Sequence, residues 1–456
     1  MFFDNNTFKH GVRIEGHKDL TSGRPIEVCP PPENIVLPLS MHIGAPAKPV
    51  VAVGDKVKMG QLVAQAQGFV SSNIHSSVSG VVQAMERRFL PSGALSECLV
   101  IANDGLDTLD ETIEPRSTGL VLAPKEMRSL LQSKGIVGMG GATFPTHVKY
   151  TPPSDKPQVI DTVIINGIEC EPYITADHRV LVEYAPEVIR GLKYFMKAVL
   201  ATRGVIAIES NKPDAIALLQ KLTEQEENIT VVSCPEKYPQ GSEKQLVYAV
   251  TGRVIANRAL PASVGVVIDN VATAVWAARA IKDDMPCIER VVTLSGDGVQ
   301  RPGNYLVRLG TSYEHVVKTC GGGIKEPLVK ILSGGPMMGF AISNLDYPVL
   351  KGSGGVLLFA AGAPITTQGR ERQCVRCGHC LDVCPMFLEP TVIAQAVKAR
   401  NWSAALQANV ASCIECGSCA YVCPAYIPLV QHIRMAKQFI ASDGRGGHNP
   451  LYDIKD

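Results

Sequence analysis

The chain has almost no charge bias: 44 Lys and Arg stand against 43 Asp and Glu, a formal charge of +1 over 456 residues. A protein that binds nucleic acid or anionic lipid through its own field needs a basic surplus, so neither class is favoured. Aromatic residues are scarce at 5%, and no basic run is interleaved with them, which removes a base-stacking surface. Long apolar runs are missing too. Val264 to Ile281 is interrupted by Asp269, Asn270 and Arg279, and Gly352 to Ile365 is too short to cross a bilayer. Membrane contact is therefore expected only through partners. No secretory leader is read at the start, and fourteen cysteines then point to a reducing compartment. Apolar residues are plentiful, at 46%, and the length predicts roughly three or four domains.

Eight of the cysteines fall in one phrase written twice. Cys374, Cys377, Cys380 and Cys384, followed by Pro385, form C-x2-C-x2-C-x3-C-P, and Cys413, Cys416, Cys419 and Cys423, followed by Pro424, repeat it. Three close thiolates grip one iron-sulfur cubane, while the fourth, carried onward by the proline, ligates the cubane of the other triplet. Two [4Fe-4S] clusters follow: cluster 1 on Cys374, Cys377, Cys380 and Cys423, and cluster 2 on Cys413, Cys416, Cys419 and Cys384. A zinc ribbon would use paired C-x2-C units instead of triplets, and disulfides have no reason to repeat a register. The other six cysteines (Cys29, Cys98, Cys170, Cys234, Cys287 and Cys320) are scattered like small core residues. This end of the chain moves single electrons.

The rest of the chain divides by pattern. Residues 1–32 mix charge and proline and read as an arm that wraps something else. Over 33–115, short β runs separated by Gly-Asp, Gly-Gln and Ser-Gly turns predict a small sandwich. Two of its phrases, Val53 to Leu62 and His75 to Val82, resemble the halves of a lipoyl/biotinyl-type barrel-sandwich hybrid without its swinging-arm lysine. Residues 116–286 alternate helix and strand, with a βαβ unit at Gly204–Glu209, Pro213–Leu222 and Ile229–Ser233, which predicts a largely parallel sheet. Over 287–345, strand, hairpin and helix suit a β-grasp domain. A glycine-rich linker is expected over 346–369, and a helical cluster domain over 370–456, with helices at Val392–Ala408 and Ile427–Ala441.

Two phrases in the α/β segment carry chemistry. Gly138 to Tyr150 holds Gly138, Gly140 and Gly141 in close spacing, which lets backbone N–H groups approach a phosphate or a flat ring, with Lys149 able to neutralise charge. It is not the dinucleotide fingerprint, because Thr143 stands at the third glycine position and a helix precedes it. A plain tight turn reads equally from these residues alone. The second phrase ends a strand: Asn166, Glu169 and Glu171 fall where parallel sheets bind ligands, and could hold ribose hydroxyls or an amide, or be solvated charges. Further candidates are Tyr238 to Lys244, with Gly241 and Glu243, and Val267 to Thr273, with Asn270.

In combination and order, these phrases resemble the flavin- and NADH-binding subunit of respiratory complex I. That resemblance implies FMN contacts at Gly138, Gly140, Gly141, Lys149, Asn166, Asn270 and Thr273, and NAD(H) contacts at Phe144, Glu169, Glu171, Gly241 and Glu243. It makes 116–286 a Rossmann-like FMN/NAD(H)-binding domain and 287–345 an SLBB-type β-grasp. Met139 and Ile168 depart from that family, which has arginine and aspartate there and only one cluster. The β module, the double cysteine phrase, Phe8 to Val12 and His42 to Ala47 instead resemble the C subunit of the Rnf complex, the ion-translocating ferredoxin:NAD+ oxidoreductase, over nearly the whole chain. Gly140 to Thr143 also looks like a covalent-flavin threonine motif, but that motif opens with Ser, Thr or Asp, so FMN is expected to be non-covalent.

Nicotinamide exchanges two electrons as hydride and a cubane takes one, so a flavin must convert between them. The resemblance then implies hydride exchange between nicotinamide C4 and FMN N5, single electrons along the clusters, and no catalytic side chain. It further implies integral membrane subunits and an iron-sulfur, ferredoxin-interacting subunit as partners, with a peripheral position on the cytoplasmic face of a bacterial membrane. Acidic residues near the ribose favour NAD over NADP. Two other readings stand beside it: a soluble microcompartment cobalamin reductase with the same cofactors, and a nucleotide-free iron-sulfur relay.

Overall fold

The computed structural model describes residues 6–117, 121–151, 159–325, 327–366 and 369–442. The first five residues of the arm and the chain beyond 442 lie outside these. The arm does not reach away from the chain, as its composition led us to expect. It folds back along the α/β body, and its β1 (Ile26–Val28) pairs in parallel with a β-grasp strand 278 residues on, through Ile26 and Asn304.

The N-terminal module holds β2 (Asn34–Pro38), β3 (Lys48–Pro49), β4 (Lys56–Val57), β5 (Leu62–Gln65), β6 (Ile74–His75), β7 (Gly80–Phe89) and β8 (Leu95–Asn103). They form two facing sheets, β2-β8-β7-β4 and β3-β5-β6. Ile35, Leu37, Leu99 and Ile101 are fully buried between them, as alternation along a half-buried strand requires.

The helix α1 (Pro124–Ser133) and the single turn α2 (Thr146–Lys149) bracket the glycine loop. Next comes a four-stranded parallel sheet in the order β11-β10-β9-β12, from β9 (Thr162–Gly167), β10 (Arg203–Glu209), β11 (Ile229–Cys234) and β12 (Val266–Asn270). Helices α3 (Ala176–Glu183), α4 (Ala185–Val199), α5 (Pro213–Leu222), α6 (Glu243–Thr251) and α7 (Val271–Lys282) cover it. Successive β9 residues feed opposite faces: Val163 and Ile165 join the core under α4 and α7, and Ile164 joins the core under α6. Burying each such side chain is worth about 1.5–3 kcal/mol. Gly191 is what lets α4 and α7 cross closely, since a Cβ there would lie 2.1 Å from the Ala274 carbonyl. Sequence patterning missed α3.

The third sheet runs β1-β14-β13-β17-β15-β16, built from β13 (Glu289–Ser295), β14 (Gly303–Arg308), β15 (Leu328–Ser333), β16 (Phe340–Ile342) and β17 (Gly355–Ala360), with α8 (Tyr313–Thr319) against it. The expected linker over 346–369 is thus corrected: β17 lies inside the sheet, parallel to β13 and antiparallel to β15. Its six-residue apolar run needs that double-sided burial. In the cluster domain the expected single helix over 392–408 is two, α10 (Pro390–Lys398) and α11 (Trp402–Gln407), separated at Arg400, whose φ of 52° no helix accommodates. The turns α9 (His379–Asp382) and α12 (Ser418–Tyr421) carry cysteines, and α13 (Leu429–Ser442) packs across them.

Candidate nucleotide cleft and metal centres

A cleft of about 710 Å³ opens where the parallel sheet, the β15–β16 turn and the cluster domain meet, a size suited to small-molecule ligands. It brings together Gly140, Gly141, Asn166, Glu169, Glu171, Gly241, Glu243 and Asn270 from the sequence-predicted set. Gly138, Phe144, Lys149 and Thr273 do not line it.

The glycine loop is closed at its base by Gly138 N–H on the Phe144 carbonyl (2.8 Å) and Thr143 N–H on the Gly138 carbonyl (3.1 Å). The Met139 N–H donates to Thr273 Oγ1 at 2.9 Å, so Thr273 acts from beneath. At the tip, the N–H groups of Gly140, Gly141 and Ala142 have no hydrogen-bond partner among the described residues. Free consecutive amides on a cleft wall are a site for phosphate oxygens. Gly141 has φ of 111°, and a Cβ there would meet nothing within 4 Å, so it would project into open space. Both observations fit a flavin phosphate and ring.

The polar groups behind the loop are largely engaged. Lys149 donates to Glu243 Oε1 (2.9 Å) and the Ile268 carbonyl (3.0 Å) and lies 3.8 Å from Asp269. Burial opposes its charge, but the two carboxylates outweigh it and hold the ammonium above its ordinary value. Asp269 is buried, and burial pushes it up to about 6. Asn166 donates to the Gly241 carbonyl at 2.8 Å and accepts from Ile168 N–H, tying the strand end to the neighbouring loop. Asn270 caps α7 through Ala272 N–H and donates to Asp177 at 2.6 Å.

The acidic loop is held in the same way. Glu169, at φ of 51°, accepts from Asp177 N–H (2.6 Å) and His178 N–H (3.2 Å) at the start of α3. Glu171 reaches across to the β15–β16 turn and accepts from Met337 N–H (3.0 Å) and Met338 N–H (2.9 Å). Burial pushes each up to about 7. Lys18, from the arm, donates to the carbonyls of Glu169, Glu171 and Ile174 at 2.7–3.0 Å.

Sequence reading missed three residues of this site. Arg290, 2% exposed on β13, donates to the Met139 and Lys351 carbonyls under the glycine loop. A charge beside the apolar pair Val291 and Val292 on a buried strand was its only signal. Asp177 and Arg434 also line the cleft, brought in by tertiary contacts that leave no local pattern, and Tyr238, from the candidate patch 238–244, stands beside them.

The two cysteine phrases repeat in backbone as well as in letters. Arg376 and Glu415 both take positive φ (56° and 57°), and Gly378 and Gly417 share φ of 83°. Arg376 N–H then points at Cys374 Sγ (3.4 Å) and Glu415 N–H at Cys413 Sγ (3.3 Å). Cys384, Cys413, Cys416 and Cys419 line one small cavity together with Pro385 and Val430. Burial, and then the thiols of Cys413, Cys416 and Cys384 with Cys380 beyond, push the Cys419 thiol up. Cys380 is raised by burial first, with Cys377 and Cys423 among its neighbours. Four thiols around one small cavity are the donor set that a cubane takes.

Family models cover most of the chain: an RnfC barrel-sandwich hybrid domain at 6–106, a Nuo51 FMN-binding domain at 131–279, an SLBB domain at 291–341 and a 4Fe-4S dicluster domain at 368–424. The chain is 44% identical over 388 residues to the C subunit of the proton-translocating ferredoxin:NAD(+) oxidoreductase complex of Clostridium ljungdahlii, covering 85% of this chain and 84% of that one. It is 43% identical over 449 residues to the C subunit of the Na(+)-translocating complex of Acetobacterium woodii, covering 98% and 100%. The C subunit of the ion-translocating oxidoreductase complex of Rhodobacter capsulatus is 41% identical over 434 residues, covering 94% and 82%. Among solved structures, an air-oxidised NAD+-reducing [NiFe]-hydrogenase shares the fold at a TM-score of 0.50 and 16% identity, over 75% of this chain and 65% of that one.

Proposed function

This chain belongs to the family of C subunits of ion-translocating ferredoxin:NAD(+) oxidoreductase complexes, and from that membership we propose how its residues carry out the task. It is the NAD(H)-oxidoreducing subunit of such a complex, with FMN and two [4Fe-4S] clusters, and it works beside the other subunits. No helix among the described residues is long and apolar enough to cross a membrane. The microcompartment reductase reading is not favoured by these relatives.

When bound, FMN exchanges hydride with nicotinamide and single electrons with a cubane. The chain's own contribution is binding and placement. The amides of Gly140, Gly141 and Ala142 bind the flavin phosphate, with Asn166, Asn270 and Thr273 shaping the pocket and Gly138 and Lys149 supporting it from behind. Glu169, Glu171, Gly241 and Glu243 form the nicotinamide-nucleotide side, where Glu169 and Glu171 act chiefly by fixing the loop, and Phe144 serves that side from behind by closing the base of the glycine loop. Cys374, Cys377, Cys380 and Cys423 hold cluster 1, and Cys413, Cys416, Cys419 and Cys384 hold cluster 2. Burial orders the two clusters. Ile414, Glu415 and Cys416 share the cleft wall, whereas Cys377 is exposed, so cluster 2 is the inner centre and cluster 1 faces outward. We place that outward face against integral membrane subunits and an iron-sulfur, ferredoxin-interacting subunit, on the cytoplasmic face of the membrane. The domain division follows the sequence reading, with the β-grasp extended through β17.

The observation that carries this reading is the single cleft walled by the glycine loop, the acidic loop and the Cys416 loop. Anaerobic reconstitution of the chain alone tests it, with assays of flavin, iron and sulfide content and of NADH-driven ferricyanide reduction. We expect flavin and dye reduction together with two clusters. Iron and sulfide with neither flavin nor dye reduction would make the chain a relay.

A further inference from the structure

We propose that Tyr238 is a positioning residue that ties the nucleotide cleft to cluster 2 and raises that cluster's reduction potential through its hydroxyl. The inference rests on the cofactor reading above and goes beyond it. Tyr238 is 2% exposed and lines the cleft, and its Oη donates to the Cys416 carbonyl at 2.7 Å. That carbonyl belongs to a ligand cysteine on the loop separating cleft from cluster.

The tyrosine is held in place from the arm. Val12 N–H donates to the Tyr238 carbonyl and Tyr238 N–H to the Val12 carbonyl, both at 2.8 Å. One residue earlier, Gly11 N–H donates to the carbonyl of Val383 at 3.1 Å, immediately before the ligand Cys384. Gly11 has φ of 79°, and a Cβ on it would lie 2.5 Å from the Tyr238 carbonyl, so the three strands of chain meet without slack. Two adjacent arm residues therefore join the cleft wall to a ligand loop of cluster 2, and the Tyr238 side chain joins it to the other.

The consequence is electrostatic. An O–H donor on the peptide carbonyl of a ligand cysteine polarises that peptide and would draw electron density away from the thiolate that holds the cluster. A reduced cluster carries one more negative charge than an oxidised one, so the donor favours reduction. A buried donor acts where screening is weak.

The test is an EPR-monitored redox titration of the reconstituted full chain carrying Tyr238→Phe. Phenylalanine keeps the ring in the cleft wall and deletes the hydroxyl, and with it both the donor to the Cys416 carbonyl and the contact with the Glu171 carboxylate. We expect the midpoint of one cluster to move to lower potential, lowering its reduced fraction at a fixed potential about two- to tenfold, with the other cluster unmoved. Should the variant not assemble its clusters, 3,5-difluorotyrosine at position 238 keeps the shape and strengthens the donor, and the same midpoint should rise. Opposite shifts from the two substitutions exclude a merely structural role. Two assembled clusters at wild-type midpoints in either protein would overturn the inference. Lack of two cluster signals in the wild-type chain would defeat the cofactor reading instead.

Discussion

Replacing Gly335 by alanine puts the bridge between the acidic loop and the β15–β16 turn to a direct test. A Cβ at 335 would lie 2.2 Å from Glu171 Oε2 and 2.4 Å from its carboxyl carbon, far inside contact distance, so the carboxylate must leave the amides of Met337 and Met338. Each of those bonds has a charged acceptor and is worth about 1.5–3 kcal/mol. Water reaching the exposed turn replaces part of that, leaving about 2–3 kcal/mol, or roughly 30- to 150-fold in the opening equilibrium of the turn. Hydrogen exchange read by mass spectrometry on a peptide spanning 334–340 measures that opening. Burial pushes Glu171 up to about 7, so the comparison is made at pH 8, where the carboxylate is ionised in the native protein. Glu171→Gln keeps one acceptor oxygen for two amides, and its exchange should fall between wild type and Gly335→Ala. Unchanged exchange in Gly335→Ala would show that Glu171 does not hold this turn.

Three further outcomes follow from the same geometry. If the fourth cysteines cross between phrases, Cys384→Ala gives the same EPR loss as Cys413→Ala, and Cys423→Ala the same loss as Cys374→Ala; the reverse pairing would refute crossed ligation. Asp269, held near 6 by burial, keeps its proton more tightly in the native state than in the unfolded chain. Its contribution therefore lowers stability as pH rises from about 4 to about 6, by up to about 3 kcal/mol, and Asp269→Asn should flatten that part of the urea-midpoint profile. Gly141→Ala strains a backbone at φ of 111° by about 1–3 kcal/mol. It should lower flavin retention on desalting roughly five- to 150-fold, read by FMN fluorescence, and full retention would remove the loop tip from the flavin site.

What could be read from the sequence and what could not differ in the range of the interactions involved. The cysteine phrases were legible because ligand spacing is local: each triplet lies within seven residues, and the chain answers with matching positive φ at Arg376 and Glu415. The parallel sheet was legible for the same reason, since the apolar runs of β9, β10 and β12 record their burial in their own letters. Glycine richness over 346–369 instead read as a linker, although Gly352 is small because Thr143 crowds it. The partners of Glu169 and Lys149 were hidden in the same way. Their strand-end and loop positions resembled ligand sites, but their partners are the amides at the start of α3 and the carboxylates of Glu243 and Asp269, which no local spacing announces. The arm is the clearest case. Its charges read as those of a tail for another molecule, yet Lys18 satisfies three carbonyls of the acidic loop and Val12 grips Tyr238. A chain that must hold a flavin cleft and a cubane at fixed separation needs such a strap, because the cluster domain and the α/β domain have separate cores. Contacts across that seam, rather than either core alone, set the distance over which electrons move.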